Sequence, residues 1–120
     1  MIQLAYVFIG GGLGACTRYL ISQSTQSVVI WVGTILSNIL ACFLLGYLAG
    51  SQLKEQNKTL FLLLGTGFCG GLSTFSTFTE EVFILGNSSS YAQAILYPIL
   101  SLAIGISSFY AGLFVANYFR

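Results

Sequence analysis

Gly65-Thr66-Gly67-Phe68-Cys69-Gly70-Gly71-Leu72-Ser73-Thr74-Phe75-Ser76-Thr77-Phe78-Thr79-Glu80-Glu81 decides how the rest of this sequence is read. Apolar residues precede and follow it, which places it in or beside a membrane segment. Yet it holds four glycines and, besides Thr66, five hydroxyl residues: Ser73, Thr74, Ser76, Thr77 and Thr79. A helix that only faces lipid has no use for that density. Glycine lets a backbone leave helical geometry. Non-helical backbone at membrane depth persists only where protein buries it or where it lines a wet cavity. The stretch is therefore the candidate functional centre.

Composition supports the membrane setting. Of the 120 residues, 56% are hydrophobic and 6% are charged. Soluble domains carry about 25% charged residues. A span needs about 20 apolar residues, so the chain holds about four. We expect an all-α membrane protein forming one domain over residues 1–120, with spans at about 2–22, 28–50, 59–86 and 91–118. Four short helices enclose little interior, so a homo-oligomer that completes its site between subunits is the economical assembly. The net charge of +1 gives no basic surface for nucleic acid. Without histidine the usual pH-switch side chain is absent. Cys16, Cys42 and Cys69 lie in apolar runs at no metal-ligand spacing and read as small buried residues. The first apolar segment lacks a basic start, so it reads as a span and not a signal peptide.

The third span, at about 27 residues, exceeds one straight crossing. An interruption between Gly70 and Ser73, centred on Gly70-Gly71, would absorb the excess. Glu80 and Glu81 then fall near the far interface and read as solvated helix-end carboxylates. Upstream, Gly10 and Gly14 in the first span form a small-xxx-small pair for close helix approach. Arg18 either snorkels to the headgroups or lines a wet vestibule that attracts anions. In the second span, Trp31 sits where an interfacial anchor belongs. Asn38 either glues helices by hydrogen bonding or presents its amide to a pore. Ser51 to Lys58 is a charged loop, and Asn87 to Ser90 is a polar turn. In the fourth span, Pro98 is a candidate kink. Tyr97, Ser101 and Gly105 recur every four residues and share a face. Ser107 and Ser108 either bond back to their own helix or extend a polar lining. Lys54, Lys58 and Arg120 fall on one side and Arg18 on the other, a slight bias compatible with insertion both ways round.

Phe75 and Phe78, three apart, share a helical face. A phenyl ring has a positive edge. Ring edges, hydroxyls and an amide together line a path suited to a small hard anion. A cation path would show buried Asp or Glu, and the sequence places none in mid-membrane. A helix interruption also frees backbone carbonyls, which hold Na⁺ in unwound transporter segments.

At these residues the chain resembles the Fluc (CrcB-type) fluoride channels. The resemblance rests on Gly10-Gly11-Gly12-Leu13-Gly14-Ala15-Cys16-Thr17-Arg18-Tyr19, on Gly33-Thr34-Ile35-Leu36-Ser37-Asn38 with Phe43 and Gly46, and on Gly67 to Phe78. It covers essentially the whole chain, the fourth span least clearly. It implies a dual-topology homodimer of antiparallel four-helix subunits in the bacterial plasma membrane, with passive export of cytoplasmic fluoride that protects the cell. An oppositely oriented homologue in place of the second copy is the other arrangement. Phe75, Phe78 and Asn38 would line the pore, with Ser76, Thr77, Tyr97 and Ser101 as the hydroxyl lining. Arg18 would sit at a vestibule. A structural Na⁺, not transported, would take the backbone carbonyls of Gly70 and Ser73. Some residues depart from the family pattern: Ser73 replaces threonine, Ala41 replaces glycine, no proline precedes Trp31, and Gly105 supplies no hydroxyl.

Two other classes compete. A small multidrug-type exporter shares the four spans but needs a carboxylate in the first span, which has none. A non-transporting scaffold explains Gly10 and Gly14 but not Ser73 to Thr79. An enzyme is disfavoured because no nucleophile has a visible base partner.

Overall fold

Four helical segments are long and apolar enough to cross a bilayer: Ile2–Thr25, Val32–Gly50, Lys58–Asn87 and Tyr91–Tyr118. The computed structural model describes residues 1–88 and 90–120, so Ser89 of the expected polar turn lies outside the described residues. We label the helices α1 (Ile2–Thr25), α2 (Val32–Gly50), α3 (Leu53–Gln56), α4 (Lys58–Phe61), α5 (Gly70–Leu72), α6 (Ser76–Asn87) and α7 (Tyr91–Tyr118). A π-helix, Leu62–Cys69, joins α4 to α5. The charged loop is itself partly helical. Gln52 adopts the left-handed conformation (φ 56°) to turn the chain out of α2. Asn57 then caps α4, its side chain accepting from the Leu60 N–H at 3.0 Å. The helix α7 runs unbroken through Pro98.

The segments pack as two parallel pairs. A Cβ built at Gly67 would approach the Val7 carbonyl, and one at Gly71 the Gly11 carbonyl, so α1 and the third segment advance together. In the other pair, Gly46 lies on Phe109 and Gly50 on Leu113. The same register carries through to the functional face, where Cys42 lies against Gly105. Parallel pairing of first with third and of second with fourth follows from the alternating direction of successive spans.

Glycine makes both contacts possible. A methyl at Gly14 would lie 2.1 Å from the Phe68 carbonyl oxygen, and one at Gly112 would lie 2.0 Å from that of Phe43. Backbone meets backbone at these points, the close approach that small residues permit in membranes. The buried core is correspondingly small, with Ala41, Leu48, Cys69 and Leu72 in one cluster. Large apolar side chains such as Phe8, Ile99 and Phe114 point outward, as a lipid-facing surface requires. Of the three cysteines, which we expected to be buried, Cys69 is buried, Cys42 is half-buried and Cys16 is exposed.

The third segment breaks at the far end of the expected interval. Gly70 keeps helical dihedrals (φ −63°, ψ −38°), and among the described residues no glycine has positive φ. Ser73 is the residue that turns extended, with ψ 154°. Gly70-Gly71 therefore does not make the break. Gly71 serves packing, since a methyl there would lie 2.2 Å from the Gly11 carbonyl oxygen.

Candidate functional site

What ends α5 is a side chain from α2. The Asn38 amide bridges the break in both directions. Its Oδ1 accepts from the Thr74 N–H at 2.8 Å, and its Nδ2 donates to the Thr74 carbonyl at 3.3 Å. A continued helix would have sent that N–H to the Gly70 carbonyl. Both backbone groups of Thr74 are thus satisfied without helical geometry, as burial demands. The Thr74 hydroxyl begins the next half-helix. It accepts from the Thr77 N–H at 3.3 Å and donates to the Thr77 hydroxyl at 3.2 Å. The Ser76 hydroxyl lies 3.4 Å from the same oxygen. Ser76 and Thr77 therefore belong to a hydroxyl cluster at the start of α6.

A groove of about 280 Å³ runs past the break between α2, α6 and α7. Asn38, Phe75, Phe78 and Ser101, all read from the sequence as pore residues, line it together with Ser73 and Thr74. Cys42, Leu102, Gly105 and Ile106 complete its wall. The Ser101 Oγ is buried and has no hydrogen-bond partner, although it lies beside the Tyr97 phenol. Phe75 is 77% exposed, so the groove is open on the side where that ring projects.

From the break the aromatic rings form a ladder. Phe75 and Phe78 lie 5.6 Å apart by ring centroids, Phe78 and Tyr97 5.3 Å, and Tyr97 and Trp31 5.9 Å. The tilts of 37°, 44° and 41° set each ring obliquely to the next. Trp31 is thus a rung of this ladder.

The structure corrects the reading of Glu81. Glu80 is exposed, as a solvated carboxylate should be, but Glu81 is only 3% exposed. Its Oε1 accepts from the Thr34 hydroxyl at 2.6 Å and its Oε2 from the Tyr97 hydroxyl at 2.5 Å. Three helices meet at this one carboxyl. Glu81 is therefore not a solvated helix-end carboxylate but one enclosed between helices. Burial with both oxygens satisfied is how a membrane accommodates such a group. Spacing offered a signal: Glu81 is four residues from Thr77 and three from Phe78, on the same face of α6. Thr34, one turn before Asn38 on α2, was missed for the same reason.

Arg18 is anchored through one of its guanidinium nitrogens. It is half-buried, and its Nε donates to the Gly71 carbonyl at 3.1 Å, tying α1 to the last turn before the break. Ser107 and Ser108 turn back to the carbonyls of Ala103 and Ile104 at 2.7 and 2.8 Å and add nothing to the groove. Gly70 and Ser73 line a second cavity, of about 290 Å³, on the other side of the break. Among the described residues no loop or capping backbone N–H bonds to either carbonyl. Carbonyl oxygens with no N–H donor are hard ligands of the kind Na⁺ takes. The space about Gly70 is open, for a methyl there would meet nothing within 4 Å. The residues present therefore fit such an ion.

Known proteins resemble this chain along most of its length. The model of the family described as "CrcB-like protein, Camphor Resistance (CrcB)" matches residues 5–113. A fluoride-specific ion channel FluC of Ignicoccus hospitalis is 43% identical over 110 residues, covering 90% of this chain and 89% of its own length. One from Pyrococcus furiosus is 48% identical over 97 residues, covering 78% and 79%. A third, fluoride-specific ion channel FluC 1 of Carboxydothermus hydrogenoformans, is 36% identical over 123 residues, covering 100% and 98%.

Proposed function

This chain belongs to the CrcB-like family, and on that premise we infer that it is a fluoride-specific ion channel. It is a multi-pass membrane protein and not an enzyme. The observation that carries the reading is the convergence of Asn38, Phe75, Phe78 and Ser101 on one groove beside the interrupted helix. Fluoride is small, hard and strongly hydrated. A path for it must replace water with donors along a narrow wall. The Ser101 hydroxyl and the positive edges of Phe75 and Phe78 supply such a wall, and the hydroxyls of Ser76 and Thr77, which do not line the groove, cluster beside it on Thr74. Tyr97 extends it along α7, with its own hydroxyl committed to Glu81. One bond from the Asn38 amide nitrogen goes to the Thr74 carbonyl, and the second N–H of that NH₂ is left for the groove, so Asn38 both holds the break open and lines the path.

The assembly we propose is an antiparallel dual-topology homodimer in the cell membrane, moving fluoride passively out of the cytoplasm. Support comes from the groove's open side and from the outward-facing Phe75, which one chain leaves uncovered. The Gly70 and Ser73 carbonyls would hold a structural Na⁺ with the matching pair from the second copy. Bound there, the ion would supply fixed positive charge near the anion path. Arg18 places a second positive charge on the same turn. Efflux of fluoride and chloride from liposomes holding the purified protein tests the reading. We expect fast fluoride loss with chloride retained. Equal loss of both anions, or retention of both by folded protein, would refute it.

A further inference from the structure

We propose that Cys42 is a pore-lining residue whose thiol supplies, at the level of Gly105, the hydrogen-bond donor that α7 lacks there. The argument begins with register. On α2, Asn38 and Cys42 are one helical turn apart, about 5.4 Å along the axis, and so are Ser101 and Gly105 on α7. The two helices run parallel, so their residues form successive levels of the same groove wall. At the first level α2 offers Asn38 and α7 offers Ser101. At the second, α7 offers no side chain. Its neighbours in the wall there, Leu102 and Ile106, are apolar.

Cys42 fills that level from the other helix. It lines the groove together with Gly105, and a Cβ built on Gly105 would lie 3.6 Å from the Cys42 Sγ. That is ordinary van der Waals contact, so the thiol stands beside the space a larger residue at Gly105 would use. A thiol is a weak donor and a weak acceptor. Beside apolar Leu102 and Ile106 a weak donor still matters, because a small anion without any donor meets the full cost of desolvation. The Ser101 hydroxyl one turn away lines the same groove beside the Tyr97 phenol and makes no well-formed hydrogen bond, so it too can turn to a ligand. If Cys42 only packed, its S–H would be irrelevant and volume alone would decide its replacement.

The inference rests on the fluoride-channel reading, and the test separates the two. Fluoride efflux from liposomes is compared for the wild type, Cys42→Ala, Cys42→Ser, Cys42→Ala/Gly105→Ser and Cys42→Ala/Gly105→Ala. Cys42→Ala should slow efflux about fivefold, the scale of one lost hydrogen bond. Cys42→Ser should conduct faster than Cys42→Ala. Restoring a hydroxyl from the opposite helix in Cys42→Ala/Gly105→Ser should recover flux, while Cys42→Ala/Gly105→Ala, with a methyl alone, should not. A second measurement does not depend on the alanine variant folding. Silver ion, which thiolates bind readily, should block the wild type, Cys16→Ser and Cys69→Ser but spare Cys42→Ser. Conducting wild type with unchanged flux in Cys42→Ala, equal recovery by both double variants, or silver block that is absent or survives Cys42→Ser would overturn this inference alone. Wild type that does not conduct fluoride would overturn the channel reading and this inference with it.

Discussion

Tyr97→Phe isolates one hydroxyl at the junction of three helices. The ring stays, so its contacts with Phe78 and Trp31, at 5.3 and 5.9 Å, are kept. The O–H that reaches the Glu81 Oε2 at 2.5 Å is lost. Glu81 then keeps only the Thr34 hydroxyl, at 2.6 Å, in a site 3% exposed where water is a poor substitute. Hydrogen bonds to charged groups contribute about 1.5–3 kcal/mol in soluble proteins. Interhelical hydrogen bonds in membranes average only about 0.6 kcal/mol, with a maximum of about 1.7, because the unfolded chain also finds partners. A buried carboxyl with both oxygens bonded belongs near the top of the membrane range. We therefore expect a loss of about 1.5 kcal/mol, or roughly a twelvefold shift in the folding equilibrium. Unfolding in mixed micelles can be followed by the fluorescence of Trp31, the only tryptophan, which packs against Tyr97 itself. In Glu81→Gln the same tyrosine change should cost less, giving a coupling of at least about 0.5 kcal/mol for residues in contact. A cost below about 0.3 kcal/mol, or strict additivity with Glu81→Gln, would refute the claim that this hydroxyl holds the carboxyl.

Three further outcomes follow from the same geometry. Asn38→Ala should leave the Thr74 N–H and carbonyl without their partner and lower stability by about 1–3 kcal/mol, the cost of unsatisfied buried groups, whereas Asn38→Gln should recover part of it; thermal unfolding of the three proteins measures this. Gly71→Ala should abolish a folded, monodisperse product in size-exclusion chromatography, because the methyl would lie 2.2 Å from the Gly11 carbonyl oxygen, while Gly70→Ala, with nothing within 4 Å, should be recovered normally. Phe75→Ile and Phe78→Ile should reduce fluoride efflux more than tenfold without changing the elution profile; normal flux in both would remove the rings from the conduction path.

Much of this fold was legible because membranes enforce simple patterns. Apolar length marks the spans, and the polar density of Ser73 to Thr79 marks where one must be interrupted. The role of the glycines was not legible. Gly70-Gly71 reads as a place where helix stops, since glycine is permissive, but permissiveness does not decide which property is used. In the structure, Gly71 is needed because another backbone lies against it, and that is a fact about α1. The break is set instead by Asn38, 36 residues before the Thr74 it bonds. Glu81 was misread for a related reason. Near the end of an apolar run a glutamate usually meets water, and only the folded arrangement brings Thr34 and Tyr97 to it. Hydropathy reads each residue against the solvent, whereas these three were decided by partners distant in sequence.

The division of tasks between the two helix pairs explains why the site lies where it does. The pair of α1 with the third segment is joined by backbone contact at Gly10, Gly14, Gly67 and Gly71, which leaves little freedom for either to shift. Arg18 adds a hydrogen bond to the last turn before the break. This half can therefore hold an interrupted helix in place without carrying groove-lining side chains of its own on α1. The other pair is closed by Gly46, Gly50 and Gly112 toward one end only. Toward the other end α2 and α7 admit larger residues, and there Thr34, Asn38, Tyr97 and Ser101 gather around the start of α6. The first pair fixes the break, and α2 and α7 supply the polar wall beside it. Phe75, at the junction, projects away from both. In the homodimer we propose, a second copy would cover this ring and close the path, and the exposure of Phe75 is the physical argument for that assembly.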